Sequence, residues 1–178
     1  MGARVYKEHY TYKEYEQWEG DWELIDGHPY AMSPKPMIKH QQTSGNIYIE
    51  LKKKSSCDQC LAAMEIDYKI ADDTVVSPDV VFACGEDLGE MYLQKTPQII
   101  FEVLSPSTQK KDKNEKYSLY EEVGVNYYVI VDIQTKKAQI YKLVNNLYKL
   151  DKEVSDESYL FDTPTSPIEF NFSTIWEK

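Results

Sequence analysis

Two acidic residues interrupt stretches that otherwise have the composition of buried β-strands. Glu102 lies within the apolar run 98–104, and Asp79 follows Pro78 at the start of a second apolar run, 79–83. A buried carboxylate without a partner is costly, so each acid needs a cation, a hydrogen-bond donor or a metal ion nearby. We predict that the two strands are adjacent and that the two acids form a metal-binding pair.

A lysine on the following helix is placed to join the acids. In the helix predicted over 112–123, Leu119 and Tyr120 belong to the face that docks on the sheet, and Lys116 precedes them by three and four residues. Lys116 therefore points towards the core side. Its ammonium group either reaches the carboxylates or lies along the surface into water.

Two acids and a lysine suit the metal-dependent hydrolysis of a phosphodiester. Mg²⁺ binds oxygen ligands, usually one or two carboxylates, and keeps water molecules for the nucleophile and the phosphate. The ion lowers the pKa of the attacking water, and a lysine positions that water or offsets negative charge. We expect Asp79 and Glu102 to bind Mg²⁺ or Mn²⁺, with Lys116 as the third catalytic group.

Simpler explanations compete with this hypothesis. A buried Glu102 can be a structural group that pairs with Lys116 or with a tyrosine hydroxyl. Asp79 can be an ordinary acid at the start of a strand, and Asp112 is most simply a helix N-cap. For the whole chain, the alternatives are a catalytically inactive domain that keeps this fold and serves for binding or oligomerisation, and a metal-dependent hydrolase of small phosphoesters.

The elements that must position these residues alternate between helices and strands. Beyond the segments above, the sequence predicts a helix over 12–19, a hairpin of 22–25 and 29–32, a helix over 38–54, and strands at 64–70, 127–131, 138–143 and 147–150, with an irregular region up to 168–172. This order predicts an α/β (α+β) fold with a mixed central sheet flanked by helices.

Composition limits the class of protein. A chain of 178 residues with 42% hydrophobic content fits one domain over 1–178, and no stretch approaches the roughly 20 apolar residues of a membrane span. The N-terminus lacks the apolar core of a signal peptide, so we expect a cytoplasmic protein without a membrane partner. The formal net charge of -10 argues against loose, charge-driven binding of nucleic acid, although a bound cation can still grip phosphate.

The spacing of the three cysteines indicates neither a set of disulfides nor a zinc site. Cys57, Cys60 and Cys84 are an odd number in a chain without an export signal, so we expect reduced thiols. Cys57 and Cys60 have CxxC spacing, but one such pair does not complete a tetrahedral zinc site. Cys84 has no recognisable second-pair spacing, and we therefore do not expect zinc.

A series of short motifs runs from about Glu23 to Tyr141. The motifs are Trp22 to Gly27, Met32-Ser33-Pro34 with His40-Gln41, Ser77 to Phe82, Phe101 to Thr108, Asp112 with Lys116 and Tyr120, and Gly124-Val125 with Tyr127 to Asp132. This series resembles the Uma family of putative restriction endonucleases in the PD-(D/E)xK superfamily. The resemblance implies a restriction-endonuclease-like core and metal-dependent cleavage of DNA.

The resemblance implies that Asp79 is the acid of the PD motif and that Glu102 is the second acid of the pattern. The (D/E)xK pattern would place a lysine at position 104, where the sequence has Leu104. In families like this one the lysine lies on the following helix, which makes Lys116 the candidate.

The same resemblance adds two assisting residues and an assembly. Glu23 resembles an additional acid of the family, and His40 resembles a further pocket residue. The expected catalytic residues are therefore Asp79, Glu102, Lys116, Glu23 and His40, and DNA is the expected substrate. The resemblance and the exposed aromatic residues also make a homodimer the expected assembly.

Overall fold

The computed structural model describes residues 8–32, 37–105 and 112–176, with only the backbone of residues 112 and 113. The helices are α1 (Tyr12–Tyr15), α2 (Ile38–Lys54) and α3 (Tyr117–Glu122), the last preceded by a π-helical turn (Asp112–Lys116). The strands are β1 (Trp22–Ile25), β2 (His28–Ala31), β3 (Cys60–Met64), β4 (Tyr68–Ala71), β5 (Thr74–Val76), β6 (Val80–Cys84), β7 (Ile99–Val103), β8 (Tyr127–Asp132), β9 (Lys137–Val144), β10 (Leu147–Val154), β11 (Ser158–Phe161) and β12 (Ile168–Asn171). Within this part of the chain, no helix is long and apolar enough to cross a membrane.

A mixed six-stranded sheet forms the centre, in the order β10-β9-β8-β7-β6-β3. Strands β7 and β8 are parallel, whereas the other neighbours are antiparallel. All five residues of β7 are buried, as its almost unbroken apolar run predicted. Parallel neighbours need a long crossover connection, and here it contains the π-helical turn and α3. The crossover therefore returns Lys116 to the sheet.

The two faces of this sheet are covered by different elements. On one face, α2 and the β11–β12 hairpin pack against side chains such as Val80 and Phe101. On the other face, α3 and a four-stranded sheet, β2-β1-β5-β4, pack against Val81 and Ile100. Neighbouring residues of a strand point to opposite faces, which explains this division. The predicted α/β (α+β) fold with a mixed sheet flanked by helices is confirmed.

The strand predicted over 64–70 is wrong. The chain leaves the central sheet at Glu65, which has a φ of 48°, and continues as β4 in the four-stranded sheet. The alternation of apolar and polar residues continues across the break, so it gave no sign of the change of sheet. Strands β3, β5 and β11 were not predicted, and the first turn of the helix predicted over 112–123 is π-helical.

The expectation of reduced thiols is wrong for two of the three cysteines. Antiparallel pairing of β3 with β6 sets Cys60 opposite Cys84, with their Cα atoms 4.0 Å apart, and the two form a disulfide. Cys57 is a free thiol. The register of the sheet, which the spacing of the cysteines does not reveal, makes this pair.

Candidate functional site

Antiparallel pairing of β6 with β7 brings Asp79 next to Glu102. Val80 pairs with Phe101, and the same register continued by one residue sets Asp79 opposite Glu102. Residues opposite each other on antiparallel strands share a face, with Cβ atoms about 4.5–5.5 Å apart. The backbone N–H of Val103 donates to Oδ2 of Asp79 at 2.6 Å and fixes this carboxylate at the end of the strand. The two strands are thus neighbours, as the sequence predicted.

Lys116 joins Glu102 to a second acid from the other sheet. Its Nζ lies 2.8 Å from Oε1 of Glu102 and 3.0 Å from Oε1 of Glu23, which is on β1. The exposed fractions of Glu23, Glu102 and Lys116 are 1%, 2% and 3%. Of the two positions predicted for the ammonium group of Lys116, the structure shows the buried one, in contact with the carboxylates, and not the one in water.

Further donors satisfy oxygens of these two buried acids. The Tyr120 hydroxyl donates to Oε1 of Glu102 at 3.0 Å, and the backbone N–H of Ser77 donates to Oε1 of Glu23 at 2.9 Å. Buried polar atoms are rarely left without such partners. From the sequence, Tyr120 was a packing residue only. Its spacing of four residues from Lys116 was the signal that both side chains point to one place.

His40 approaches Asp79 from the opposite side of the sheet. It lies in the first turn of α2, and its Nε2 is 3.3 Å from Oδ2 of Asp79. Burial disfavours the charged imidazole, but the hydrogen bond and the charge of Asp79 outweigh burial and raise the pKa of His40 above its ordinary value. Its Nδ1 is buried and has no hydrogen-bond partner among the described residues.

Asp67 is an acid of this region that the sequence did not single out. The Tyr15 hydroxyl donates to Oδ2 of Asp67 at 3.0 Å and to the carbonyl oxygen of Trp22 at 2.9 Å. Burial raises the pKa of Asp67; the Tyr15 hydrogen bond lowers it, and the charge of Glu23 raises it further. In one continuous strand over 64–70, Asp67 would share the polar face with Glu65 and Lys69. The chain instead breaks at Glu65, and Asp67 is close enough to Glu23 for that charge to raise its pKa.

The fold and the motifs agree with one known family. A family model described as "Putative restriction endonuclease" (Uma2) matches residues 12–174. The chain belongs to the Uma2 family. A crystal structure of a putative nuclease from Anabaena variabilis has a similar fold, with a TM-score of 0.68 and 16% identity over 93% of this chain and 97% of that chain. None of the curated proteins matches the chain.

In this Uma2 chain, the five predicted site residues lie in two contacting groups at one end of β6 and β7. His40 contacts Asp79, and Lys116 contacts both Glu102 and Glu23. The register of the two strands connects the groups. The family resemblance inferred from the motifs is confirmed, and the match extends beyond the predicted range of 23–141 at both ends.

The donor set at this strand end suits a hard divalent cation. The carboxylates of Glu102 and Glu23 contact the one ammonium group of Lys116, and the carboxylate of Asp79 lies beside Glu102 on the neighbouring strand, so acids outnumber lysines in the cluster. The side chain of Asp79 is 17% exposed, and its contacts with Val103 and His40 both involve Oδ2. Mg²⁺ prefers carboxylate oxygens and often takes only one or two of them. Asp79 and Glu102 supply carboxylate oxygens, the type of ligand that such an ion takes.

This acidic site offers fewer protein ligands than a closed metal site. Within residues 8–32, 37–105 and 112–176, only the three cysteines bring three or more candidate ligand atoms within 4.8 Å of one another. An ion held by Asp79 and Glu102 would take its other ligands from water or substrate. An open coordination sphere of this kind is typical of catalytic Mg²⁺.

Proposed function

We propose that this Uma2 chain is an endonuclease of the PD-(D/E)xK type that hydrolyses phosphodiester bonds in DNA with Mg²⁺ or Mn²⁺. The observation that carries the proposal is that Asp79 and Glu102 lie opposite each other on neighbouring strands, next to the buried Lys116. Neither acid is an ordinary solvent-exposed charge, because Glu102 is buried and Asp79 is mostly buried. Asp79 and Glu102 would bind the ion, which would lower the pKa of the attacking water and offset charge on the phosphate.

Lys116 would act through its charge. Glu102 and Glu23 both lie within 3.0 Å of its Nζ and favour the ammonium form. A protonated lysine orients the water and offsets negative charge on the phosphate, but it does not accept the proton. Position 104, where the superfamily pattern has its lysine, holds Leu104, which packs in the apolar cluster under α3. The crossover helix thus supplies the cation that the strand lacks.

Glu23 and His40 would position the groups that react. Glu23 holds Lys116 together with Glu102, and the backbone N–H of Ser77 fixes Glu23 in turn. His40 contacts the carboxylate of Asp79 through Nε2 and would hold its orientation. Catalytic groups held in this way need little rearrangement when substrate binds.

The decisive experiment is calorimetric titration of Mg²⁺ and Mn²⁺ into wild type, Asp79→Asn and Glu102→Gln. We expect one site in wild type and binding weakened by about tenfold or more in both variants, since even outer-shell partners of a metal are worth that much. Glu153→Gln is the matched control, because Glu153 is an acid paired with Lys137 on the surface. Plasmid and single-stranded DNA should be cleaved by wild type and not by the two site variants.

A catalytically inactive binding module is the second candidate, and one observation favours it. Lys116 and the Tyr120 hydroxyl already provide Glu102 with partners, as a purely structural carboxylate would require. The net charge of -10 also suits a protein that does not hold DNA by charge. Folded wild type that binds neither ion would exclude the nuclease and favour this candidate. Metal binding with turnover of a small phosphodiester, but not of DNA, would instead indicate a hydrolase of small phosphoesters.

A further inference from the structure

The three cysteines form a compact sulfur group at the far end of β6. The Sγ atoms of Cys57, Cys60 and Cys84 all lie within 4.8 Å of one another, and each residue is partly buried. In the structure two of them form the disulfide and Cys57 is its free neighbour. No other set of three candidate metal ligands is as close within the described residues.

The backbone around the group is ordered by its own hydrogen bonds. The chain turns after α2 so that the N–H of Cys60 donates to the carbonyl oxygen of Cys57 at 3.2 Å. The N–H of Gly85 donates to the carbonyl oxygen of Gln59 at 3.0 Å, which ties the CxxC turn to the end of β6. The register sets Cys60 opposite Cys84. Strand pairing and these hydrogen bonds thus bring the three cysteines together.

We propose that the reduced form of this group binds a borderline-soft divalent cation such as Zn²⁺ through three thiolates. Zinc–sulfur bonds are about 2.3 Å long, so two sulfurs on one tetrahedral ion are about 3.8 Å apart, within the spread of the three Sγ atoms. The CxxC turn supplies two ligands and Cys84 the third. A water molecule occupies the fourth position, as in other zinc sites with three protein ligands.

The oxidised and metal-bound forms exclude each other. A dithiol reductant transfers two electrons and two protons to the Cys60–Cys84 bond, which breaks to give two thiols while the dithiol becomes a disulfide. Zn²⁺ then displaces the protons of the three thiols, because thiolates are the ligands. The disulfide is therefore the metal-free state, and reduction opens the site.

This site is separate from the acidic one. Asp79 immediately precedes β6 and Cys84 ends it, and five steps along a strand span about 17 Å. Carboxylates bind hard ions such as Mg²⁺, whereas thiolates select softer ones. The cysteine site therefore does not rest on the proposed nuclease function, and each can fail without the other.

The test is titration of Co²⁺, a spectroscopic substitute for Zn²⁺, into the full chain reduced with a phosphine under anaerobic conditions. We expect the absorption of a thiolate–cobalt charge transfer, which Co²⁺ bound to carboxylates at the acidic site does not give, and we expect Zn²⁺ to abolish it. Cys57→Ser keeps the cysteines of the disulfide and should weaken binding by about tenfold or more, as the loss of a ligand costs at least as much as that of an outer-shell partner. Unreduced wild type should give no such absorption.

Controls separate this outcome from damage to the fold. Glu153→Gln, a change in a surface ion pair, should give the same charge-transfer absorption as wild type, and thermal unfolding should show that reduced wild type and Cys57→Ser remain folded. Absence of the charge-transfer absorption in reduced wild type, or equal binding by Cys57→Ser, would overturn the proposal. A reduced chain that unfolds and does not regain its structure with Zn²⁺ would overturn it as well.

Discussion

The Nζ atom of Lys116 lies 2.8 Å from Oε1 of Glu102, although the two residues are 14 positions apart and belong to different elements. Glu23, from a second sheet, contacts the same ammonium group at 3.0 Å. Three buried charges thus depend on one another. Removing one member of such a group costs much more than the net contribution of the intact group, because the remaining charges stay buried.

Lys116→Met should lower the free energy of unfolding by about 3–5 kcal/mol, because it leaves two buried carboxylates without their shared cation. Chemical denaturation measures this loss. Lys137→Met is the matched control, since Lys137 pairs with Glu153 at 2.6 Å on the surface, where screening by water makes an ion pair weak. Equal losses in the two variants would show that Glu102 and Glu23 do not depend on Lys116.

Tyr120→Phe should cost about 1.5–3 kcal/mol of stability, since it removes a hydrogen bond to a charged acceptor and keeps the ring. Tyr68→Phe offers a comparison with a neutral acceptor, because the Tyr68 hydroxyl donates to Oγ1 of Thr96 at 3.1 Å. That variant should lose only about 1 kcal/mol. If chemical denaturation showed a larger loss for Tyr68→Phe than for Tyr120→Phe, the Tyr120 hydroxyl would not be bonded to an ionised Glu102.

Asp67→Asn should stabilise the protein at neutral pH. The pKa of Asp67 is raised in the folded state, chiefly by burial, so the folded state binds the proton more tightly than the unfolded state. Wild type therefore gains stability as the pH falls from above the pKa of Asp67 in the folded state to below its pKa in the unfolded state. Over this pH interval, the difference in free energy of unfolding between Asp67→Asn and wild type shrinks. Denaturation at a series of pH values measures the difference.

The neighbouring hydroxyl provides the check on this pH dependence. Tyr15→Phe removes the hydrogen bond that lowers the pKa of Asp67, so the interval should move to higher pH in that background. An Asp67→Asn variant that is less stable than wild type at neutral pH would contradict the assignment.

Phe161→Ala should cost about 3–5 kcal/mol, because a large core side chain is replaced by a cavity. The Phe161 ring is fully buried, with its centroid 5.8 Å from that of Phe101 and 6.0 Å from that of Phe170. Leu160 precedes it on β11 and is 57% exposed, so Leu160→Ala should change stability by no more than about 0.5 kcal/mol. Similar losses at both positions would mean that β11 does not pack on the central sheet.

Local signals predicted the elements whose partners lie close along the chain. The helix predicted over 38–54 is α2, Ile38–Lys54, and the apolar run 98–104 is β7. The inward direction of Lys116 followed from its spacing to Tyr120, because helical periodicity is a property of neighbouring residues. These predictions needed no knowledge of the tertiary structure.

Contacts between distant segments could not be read in the same way. Glu23 entered the candidate site through the family resemblance alone, because β1 lies in a different sheet from Glu102 and no local pattern records their approach. Asp67 was missed since the chain breaks at Glu65 and does not continue as one strand over 64–70. The disulfide was missed because strand register, and not the spacing of Cys60 and Cys84, decides that pair.

The parallel pairing of β7 with β8 also has a consequence for how fast the molecule folds. Ile99 pairs with Tyr127, so the intervening loop must close before the pair can form, and such long-range contacts form slowly. Lys116 lies within that loop. We expect its ion pair to form only after the rate-limiting barrier to folding, so that Lys116→Met accelerates unfolding and leaves the folding rate almost unchanged.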